Sequence, residues 1–188
     1  AYSAIATDAG KMTYSLGGTD ASLFAIKGSR VVFKAKPNYE SAADNGTDNV
    51  YNITITATDF AGNSATHAVA ITVTDVNEAP VFTSDATASF AENTDEATVV
   101  YDANATDQDS DTLTYSLSGA DKALFDIDSS TGEITFKESP NFESAKDSGK
   151  DNVYNVTVTA TDDDDTSPLS TTQDVAITVT DVNEKPSV

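Results

Sequence analysis

Apolar and polar residues alternate along several short segments of the chain. In "VYNVTVTA" at 153–160, every second residue from Tyr154 to Ala160 is apolar, and the residues between them are Asn or Thr. The segments 113–117 and 175–179 alternate in the same way. A period of two with one apolar face predicts strands that are buried on one side, as in antiparallel sheets. Several such strands separated by turn residues predict an all-β sandwich.

Little of the sequence has a helical pattern. "GADKALFDI" at 119–127 is helix-like but short, so it predicts a single turn that packs Leu124 and Phe125. "STGEITF" at 130–136 predicts a turn at Gly132 that leads into a strand. No long helix is expected.

The chain contains two copies of one sequence pattern. "FKAKPNYESA" at 33–42 returns as "FKESPNFESA" at 136–145, and "ITVTDVNEAP" at 71–80 returns as "ITVTDVNEKP" at 177–186. This duplication predicts two sandwiches. We assign the first repeat to 1–76, a linker to 77–80, the second repeat to 81–182 and the start of another linker to 183–188.

The first repeat has no segment that matches 81–99, so we expect it to lack its initial strand. An unpaired sheet edge invites pairing with another chain. The sequence therefore predicts strand exchange or dimerisation through the first repeat.

Acidic residues dominate the charge of the 188-residue chain. Asp and Glu number 31 against 10 Lys and Arg, for a formal net charge of −21. Such a surface repels nucleic acid and anionic membranes. Without Cys or a long apolar run, the sequence predicts no disulfide, no thiolate site and no direct membrane insertion. The acids either serve solubility or bind a hard cation such as calcium.

Several short motifs occur in a fixed order in the second repeat. They are "AEN" at 91–93, "ATDQDSDTLTYSL" at 105–117, "LFDIDSSTGEI" at 124–134, "PNFES" at 140–144, "ATD" at 160–162 and "DVNEKP" at 181–186. Together they resemble cadherin repeats, particularly the arrays of bacterial surface and secreted proteins. The resemblance implies seven-stranded Greek-key, immunoglobulin-like sandwiches joined end to end, with calcium between successive repeats and an extracellular or cell-surface location.

Calcium takes six to eight oxygen ligands, more than one short peptide here supplies. Loops of a sandwich cluster at its two ends, so ligands from several loops can converge there. Matched to the family's motifs, the ligands at the junction of the two repeats are Asn38, Glu40, Asp75, Asn77, Glu78, Asp107, Asp109 and Asp162, with Asp111 or a nearby carbonyl as a weaker candidate. A half-built C-terminal metal site is implied at Glu92, Asn141, Glu143, Asp181, Asn183 and Glu184.

The match has three departures. Asn38 stands where the family usually has an acid, the linker is one residue shorter than the commonest form, and the top of the first repeat has Asp8 but Gly10 in place of its second acid. The acids of "TDDDDTSP" beyond Asp162 are expected to form a solvated loop.

Two classes of function remain open. The first is calcium-dependent adhesion, in which calcium stiffens a spacer, neighbouring repeats extend the array and a homophilic contact is possible. The second is a calcium-assisted carbohydrate-binding module that contacts extracellular polysaccharide, for which Tyr39, Phe60 and Tyr101 are the aromatic candidates. The chain is not expected to be an enzyme, because no nucleophile-elbow motif accompanies its only histidine, His67. His67 is instead expected to be a partly buried structural residue.

Overall fold

The computed structural model of the chain describes residues 2–7 and 11–185. These residues form two compact units, Ala1–Val76 (unit 1) and Asn77–Val188 (unit 2). Both units are built from β-strands and short 3-10 turns, and the described residues contain no α-helix. This confirms the predicted all-β fold in two sandwiches. Asp8, Gly10 and Pro186, the last residue of the "DVNEKP" motif, lie outside the described residues.

Unit 1 has two antiparallel sheets. Its strands are β1 (Tyr2–Ser3), β2 (Thr13–Gly17), β3 (Phe24–Lys27), β4 (Arg30–Phe33), β5 (Val50–Thr58) and β6 (Ser64–Thr72), with a 3-10 turn at Ala21–Leu23. One sheet has the order β2-β5-β6 and the other has the order β1-β4-β3.

Unit 2 repeats this arrangement and adds strands at its start. Its strands are β7 (Val81–Phe82), β8 (Thr87–Ala91), β9 (Val99–Asp102), β10 (Ala105–Thr106), β11 (Thr114–Ser118), β12 (Phe125–Ile127), β13 (Glu133–Phe136), β14 (Val153–Thr161) and β15 (Ser170–Thr180), with 3-10 turns at Lys122–Leu124 and Phe142–Ser144. The sheets have the orders β11-β14-β15-β8, β12-β13-β9 and β10-β7. The turn at Lys122–Leu124 confirms the single turn that the sequence predicts there.

The two units differ in their initial strand. If β7 with β8, and β9 with β10, are each counted as one interrupted strand, unit 2 has the expected seven strands. The six strands of unit 1 correspond to the last six of these. In the part of unit 1 that the structure describes, no strand corresponds to β7 or β8, as expected from the sequence.

The core follows the apolar faces that the alternation predicts. Tyr154, Val156, Val158 and Ala160 of β14 are at most 2% exposed. Phe125 and Phe136 pack against Tyr154, with the rings of Phe136 and Tyr154 5.3 Å apart at 84°. Edge-to-face ring pairs of this kind add to the stabilisation from buried area. Unit 1 repeats the arrangement with Phe24, Phe33 and Tyr51.

Several acids stabilise loops from inside the fold. Asp147 is 2% exposed, and its carboxylate accepts the backbone N–H groups of Asp151 at 3.1 Å and Asn152 at 3.0 Å. Asp121 accepts the N–H groups of Ser148 and Asn155, each at 2.7 Å. Asp44 and Asp20 repeat these contacts in unit 1. These carboxylates therefore hold the loops around them in place.

The last strand of each unit is covered to a different extent. In β15, Val175, Ile177 and Val179 are 2%, 0% and 1% exposed, and β8 lies parallel along this strand. The matching residues Val69 and Ile71 of β6 are only half-buried. In unit 1, the sheet order places β6 at an outer edge.

This difference corrects the expectation for His67. The side chain is exposed, whereas its counterpart Gln173 in β15 is half-buried. In unit 2, Gln173 donates to the carbonyl of Ser84 in the segment before β8. No such segment lies beside His67 in the described part of unit 1, so the prediction of a partly buried histidine is wrong.

A matched pair of substitutions tests this difference in burial. Ile177→Ala should lower the free energy of unfolding of unit 2 by about 3 kcal/mol, because it removes a fully buried side chain. Ile71→Ala should lower the free energy of unfolding of unit 1 by clearly less, because the side chain of Ile71 is already partly in contact with water. Amide hydrogen exchange of each unit measures both effects, and equal losses would contradict the comparison.

Candidate metal centres

In unit 2, several oxygen-bearing side chains lie together in one group of loops. We call these side chains the Asp107 cluster; they are Asn77, Glu78, Asp107, Asp109, Asp111 and Asp162. Asn77 and Glu78 precede β7, and Asp107 to Asp111 lie in the loop between β10 and β11. Asp162 follows β14 directly. Residues from three distant parts of the sequence therefore meet where these strands begin or end.

Three carboxylates of the Asp107 cluster lie within the reach of one ion. Asp107, Asp109 and Asp111 each have a carboxylate oxygen within 4.8 Å of the others. Asp107 Oδ1 accepts the backbone N–H of Asp109 at 2.8 Å, which folds the loop so that alternate acids face the same way. Two oxygens that share one calcium ion lie at most about 5 Å apart, because each is 2.3–2.6 Å from the metal. The spacing fits a calcium site.

The linker is attached to these acids by hydrogen bonds. The backbone N–H of Glu78 donates to Asp109 Oδ2 at 2.9 Å. Asn77 Nδ2 donates to Asp162 Oδ2 at 3.2 Å, and Asp162 is 3% exposed. Asp162 Oδ1 also accepts the N–H of Leu169 at 2.9 Å. The structure thus places four of the residues singled out from the sequence, Asn77, Glu78, Asp109 and Asp162, in one hydrogen-bonded group.

Other oxygens in the same group have no donor. Asn77 Oδ1, Asp107 Oδ2 and Asp109 Oδ1 are buried and accept no hydrogen bond from the described residues. A buried polar oxygen without a partner costs free energy, and a buried anionic oxygen costs more. A bound cation would satisfy such oxygens, and carboxylate and amide oxygens are ligands that calcium prefers.

Burial and repulsion between carboxylates both raise the pKa of Asp111. Burial is the largest cause, and nearby carboxylates add to it, in the order Asp107, Asp163, Asp109 and Asp162. A carboxyl with a raised pKa is costly to ionise in its place, and either a proton or a cation removes that cost. Asp111, a weaker candidate from the sequence, therefore lies inside the cluster.

A second group of acidic side chains lies in other loops of unit 2. We call it the Glu92 cluster; it consists of Glu92, Glu143, Asp181 and Glu184. One carboxylate oxygen from each lies within 4.8 Å of the others. Glu92 is 3% exposed, whereas the other three are exposed. The predicted C-terminal carboxylates are thus close together, and Asn141 and Asn183, the other two residues proposed for this site, are exposed neighbours of it in sequence.

Backbone donors hold Glu92 in its ionised form. Val182 N donates to Oε1 at 2.8 Å and Phe142 N donates to Oε2 at 2.9 Å. These two hydrogen bonds are the largest causes of the lowered pKa of Glu92. Glu92 therefore ties the chain after β15 to the turn before Glu143 and orders the loops of the cluster.

Glu143 has the opposite shift. The hydrogen bond from its own backbone N–H lowers the pKa of Glu143, but burial and repulsion from Glu184, Glu92 and Asp181 together raise it. Asn93 Nδ2 donates to Glu184 Oε1 at 2.9 Å. Asn93 was not among the residues predicted for this site, although it is the last residue of the "AEN" motif.

Unit 1 contains a smaller version of this arrangement. One carboxylate oxygen of Glu40 and one of Asp75 lie within 4.8 Å of each other, and these residues match Glu143 and Asp181. Asn38, where the family usually has an acid, is exposed, and its Oδ1 accepts the N–H of Ser41 at 2.7 Å. Asn38 thus acts as a turn residue in the described structure of unit 1.

The acids after Asp162 make contacts of two kinds. Asp164 Oδ1 accepts Thr166 Oγ1 at 2.7 Å, Thr166 N at 2.9 Å and Ser167 N at 2.7 Å. The Thr166 hydroxyl is the largest cause of the lowered pKa of Asp164. Asp163 accepts the N–H of Thr112 at 2.8 Å, and Asp165 is exposed. The contacts of Asp164 agree with the expected loop role, whereas Asp163 reaches the loop of the Asp107 cluster and adds to the repulsion on Asp111.

The sequence matches a known family. Residues 86–180, just over half of the chain, match the model of the cadherin domain. Human protocadherin gamma-B4 is 40% identical over 105 residues, which are 52% of this chain and 11% of that protein. Human cadherin-23 is 32% identical over 180 residues, which are 92% of this chain and 5% of that protein.

Solved structures show the same fold. A crystal structure of human protocadherin-24 EC1-2 superposes with a TM-score of 0.62 at 23% identity and covers 97% of this chain and 89% of that chain. The chain therefore belongs to the cadherin family and consists of tandem repeats of the kind found in cell-adhesion proteins. It spans about a tenth or less of the curated relatives named above.

Two further findings bear on the sequence-based expectations. The curated relatives are animal proteins, so the comparison gives the expected bacterial type no support. Within the described residues, no helix has the length and apolar character required to cross a membrane.

The buried carboxylate of the Glu92 cluster permits a test by pH. Because the folded-state pKa of Glu92 is lowered, its contribution to stability is present above its unfolded pKa of about 4.3 and is lost as pH falls through the folded value. Glu92→Gln should therefore lower the urea midpoint of unit 2 at pH 7, since the amide cannot accept both backbone donors.

The difference between wild type and variant should shrink steadily as pH falls below 4. Urea titrations in chelator, followed by tyrosine fluorescence, measure it without any metal contribution. Glu96→Gln, a change of an acid outside both clusters, is the matched control. A Glu92→Gln deficit that stays constant down to pH 2 would contradict the assigned role of the carboxylate.

Proposed function

We propose that unit 2 binds calcium at the Asp107 cluster and that the chain acts as calcium-dependent adhesive repeats of a cell-surface or secreted protein. The observation that carries the proposal is the set of buried oxygens on Asn77, Asp107 and Asp109 that accept no hydrogen bond from the described residues. Folding brings these oxygens together only at a cost, and binding of a cation returns that cost.

The donor set favours calcium over other metals. All side chains in the two clusters offer oxygen, and the chain contains no Cys and one His, which lies in unit 1. Zinc and copper favour nitrogen and sulfur ligands, whereas calcium accepts many carboxylate and carbonyl oxygens in flexible geometry. Magnesium is less suited, because it requires near-ideal octahedral geometry and keeps several waters.

Calcium gives the short linker its mechanical role in this proposal. Asn77 and Glu78 of the 77–80 linker are bound to Asp162 and Asp109 through hydrogen bonds, so an ion at the Asp107 cluster would fix the linker against unit 2. Participation of Asn38, Glu40 and Asp75 in the same ion's coordination stays a prediction. If they also bind it, calcium converts a flexible connection into a stiff spacer.

The Glu92 cluster is the second calcium site of the proposal. It offers four carboxylates with oxygens within 4.8 Å of one another, and Glu143 in it has a raised pKa. Three of these four carboxylates, those of Glu143, Asp181 and Glu184, are exposed, so we infer weaker binding there. Ligands from a following repeat would complete it in a longer array.

Adhesion is the proposed biological role, with neighbouring repeats and a homophilic contact as partners. The family relationship supports cell adhesion and an extracellular or cell-surface location. No enzymatic activity is proposed, because the candidate chemistry of both clusters is cation binding.

The carbohydrate-binding alternative is less well supported. Tyr101 is 7% exposed and cannot serve as a stacking platform. Tyr39 and Phe60 are exposed, but they lie near opposite ends of β5. The carbonyl of Tyr39 accepts a hydrogen bond from the side chain of Asn49, which immediately precedes β5, and Phe60 follows the end of the strand. A nine-residue strand spans about 30 Å, so these two rings do not form one sugar-binding surface.

Calorimetric titration with calcium chloride tests the metal site. We expect at least two classes of site in wild type, with the tighter class weakened by about tenfold or more in the Asp107→Asn, Asp109→Asn double variant, because calcium affinity follows the number of charged ligands. The Asp85→Asn, Asp102→Asn double variant loses the same charge outside the clusters and should bind as wild type does.

Two results would count against the proposal. Equal loss of affinity in both double variants would show that calcium responds only to net charge. Absence of measurable heat in wild type at millimolar calcium, where extracellular modules bind with Kd values of about 10⁻⁴–10⁻³ M, would exclude a functional site.

The spacer role has a separate test. Spin labels placed on Ser15→Cys in unit 1 and Ser116→Cys in unit 2 report distances between the units. Calcium should narrow the distance distribution measured by pulsed electron resonance, and Glu78→Gln should reduce this narrowing. An unchanged distribution in a protein that binds calcium by calorimetry would reject the spacer and leave the metal site intact.

A further inference from the structure

Charge is distributed unevenly between the two units. Unit 1 has seven acidic and five basic residues, whereas unit 2 has 24 acidic and five basic residues. Unit 2 therefore carries almost all of the net charge of −21. Within unit 1, residues 21–39 contain four basic residues and no acid, and the matching residues 122–142 of unit 2 contain two basic and four acidic residues. One region of the repeat thus has opposite charge in the two units.

The basic residues of this region lie on the outer surface of β3 and β4. Lys27 and Arg30 are exposed and lie directly opposite each other across the two strands. Val31, next to Arg30, is 2% exposed and faces the core. Like charges directly opposite each other destabilise a sheet. Among the described residues, neither Lys27 nor Arg30 forms an ion pair that would offset this repulsion.

Lys34 extends the same surface, which we call the basic face: the outer surface of β3 and β4 with Lys27, Arg30 and Lys34. Lys34 is exposed, and its Nζ donates to Ser22 O at 2.7 Å. In unit 2 the matching lysine, Lys137, has its Nζ 3.6 Å from Asp126 Oδ1. Unit 1 has Ala25 in place of Asp126, so its basic face keeps its full charge.

The equivalent surface of unit 2 is acidic. In the β12-β13-β9 sheet, Glu133 takes the position of Arg30 and lies directly opposite Asp102. Both acids are exposed, whereas Ile134 and Tyr101, the residues next to them, face the core. We call this outer surface, with Asp102 and Glu133, the acidic face. Unit 2 thus has a repelling pair of acids on the surface where unit 1 has a repelling pair of bases.

The exposure of these faces does not depend on the initial strand of a repeat. Unit 2 contains β7 and β8, which pair with β10 and with β15 in other sheets. The acidic face remains exposed with both strands in place. A segment in the same place in unit 1 would likewise leave the basic face accessible.

We propose that the basic face of unit 1 binds the acidic face of unit 2 in a second copy of the chain, with Lys27 and Arg30 against Asp102 and Glu133. A second copy is the favoured partner because it presents the opposite charges on the same sheet of the same fold. The contact gives the homophilic partner of the proposed function its surfaces and therefore rests on that function. Since each face binds a different face, the contact is heterologous.

The contact is expected to be weak and local. Two copies with a net charge of −21 repel each other, but salt largely screens exposed charges that are more than about 8 Å apart at physiological ionic strength. Complementary charges at a contact fix its register and exclude other partners more than they add affinity. Exposed ion pairs also contribute little individually. The strength of such a contact at a surface comes from many copies acting together.

Reciprocal charge reversal tests the contact in the full chain. Lys27→Glu, Arg30→Glu makes the basic face acidic, and Asp102→Lys, Glu133→Lys makes the acidic face basic. Each double variant alone should associate about tenfold or more weakly than wild type in sedimentation equilibrium, because like charges then meet. An equimolar mixture of the two should regain association, since opposite charges meet again. Asp128, which matches Lys27, is left unchanged because its carboxylate holds the turn after β12.

Matched variants control for net charge. Lys11→Glu, Lys150→Glu changes the charge as much as the first double variant, and Asp85→Lys, Glu96→Lys changes it as much as the second. All four residues are exposed and lie outside both faces. Each control should associate as wild type does.

The metal sites are followed separately. Sedimentation is carried out in calcium and in chelator, and the calcium titration by calorimetry is repeated on both double variants, whose changed residues lie outside the Asp107 and Glu92 clusters. Calcium binding by a wild-type chain that does not associate would reject the contact and leave the proposed metal sites intact. Association with recovery in the mixture but without calcium binding would support the contact and contradict the metal sites.

Three results would overturn the proposal. The first is a wild-type chain that stays monomeric at about 1 mM, including one that instead binds polyglutamate as a different acidic partner. The second is association that both double variants retain, which would place the contact on another surface. The third is loss of association in both variants without recovery in the mixture, which would mean that the two faces do not meet.

Discussion

Mutual repulsion between carboxylates is the constraint on which the structure of the loops depends. Folding brings Asp107, Asp109 and Asp111 within one ion's reach, although each carries a negative charge in a chain with a net charge of −21. Burial and then the nearby carboxylates raise the pKa of Asp111. The sandwich core must hold the loops together against the repulsion unless a proton or a cation intervenes.

The chain resolves this constraint in two different ways. Asp121 and Asp147 are buried as deeply as any acid in unit 2, yet their oxygens accept backbone N–H groups from loops that they themselves stabilise. Asp107 and Asp109 instead each accept a backbone N–H with one carboxylate oxygen. Their other oxygen is buried and accepts no hydrogen bond from the described residues. The first kind of acid is complete within the protein. The second kind leaves a buried oxygen for a ligand from outside. This distinction singles out Asp107 and Asp109, whereas both oxygens of Glu92 and of Asp162 already accept hydrogen bonds.

The sequence predicts the fold well because one face of each strand is uniformly apolar. The alternation from Tyr154 to Ala160 and from Val175 to Val179 places the buried residues correctly, and the duplicated motifs predict both units and the strand that unit 1 lacks. The grouping of Asp107, Asp109 and Asp162 follows from motif order, since strand ends of a sandwich converge. Whether these residues hold calcium stays a prediction.

Other features depend on three-dimensional contacts that no local pattern reveals. Nothing in "TDDDDTSP" shows that Asp164 is saturated by Thr166 and Ser167 while Asp162 is bonded to the linker. The contact of Asn93 with Glu184 joins residues 91 positions apart. His67 follows the apolar phase of its strand and still lies in solvent, because exposure there is decided by the presence of a neighbouring strand. Periodicity reports which side of a strand faces inward, but it does not report whether that side is covered.

The oxygens without donors lie apart from the apolar core of unit 2. They belong to the loops before β7 and between β10 and β11, whereas Tyr154, Val156, Val158 and Ala160 of β14 belong to the core. Loss of a cation should therefore loosen these loops while the central sheet persists.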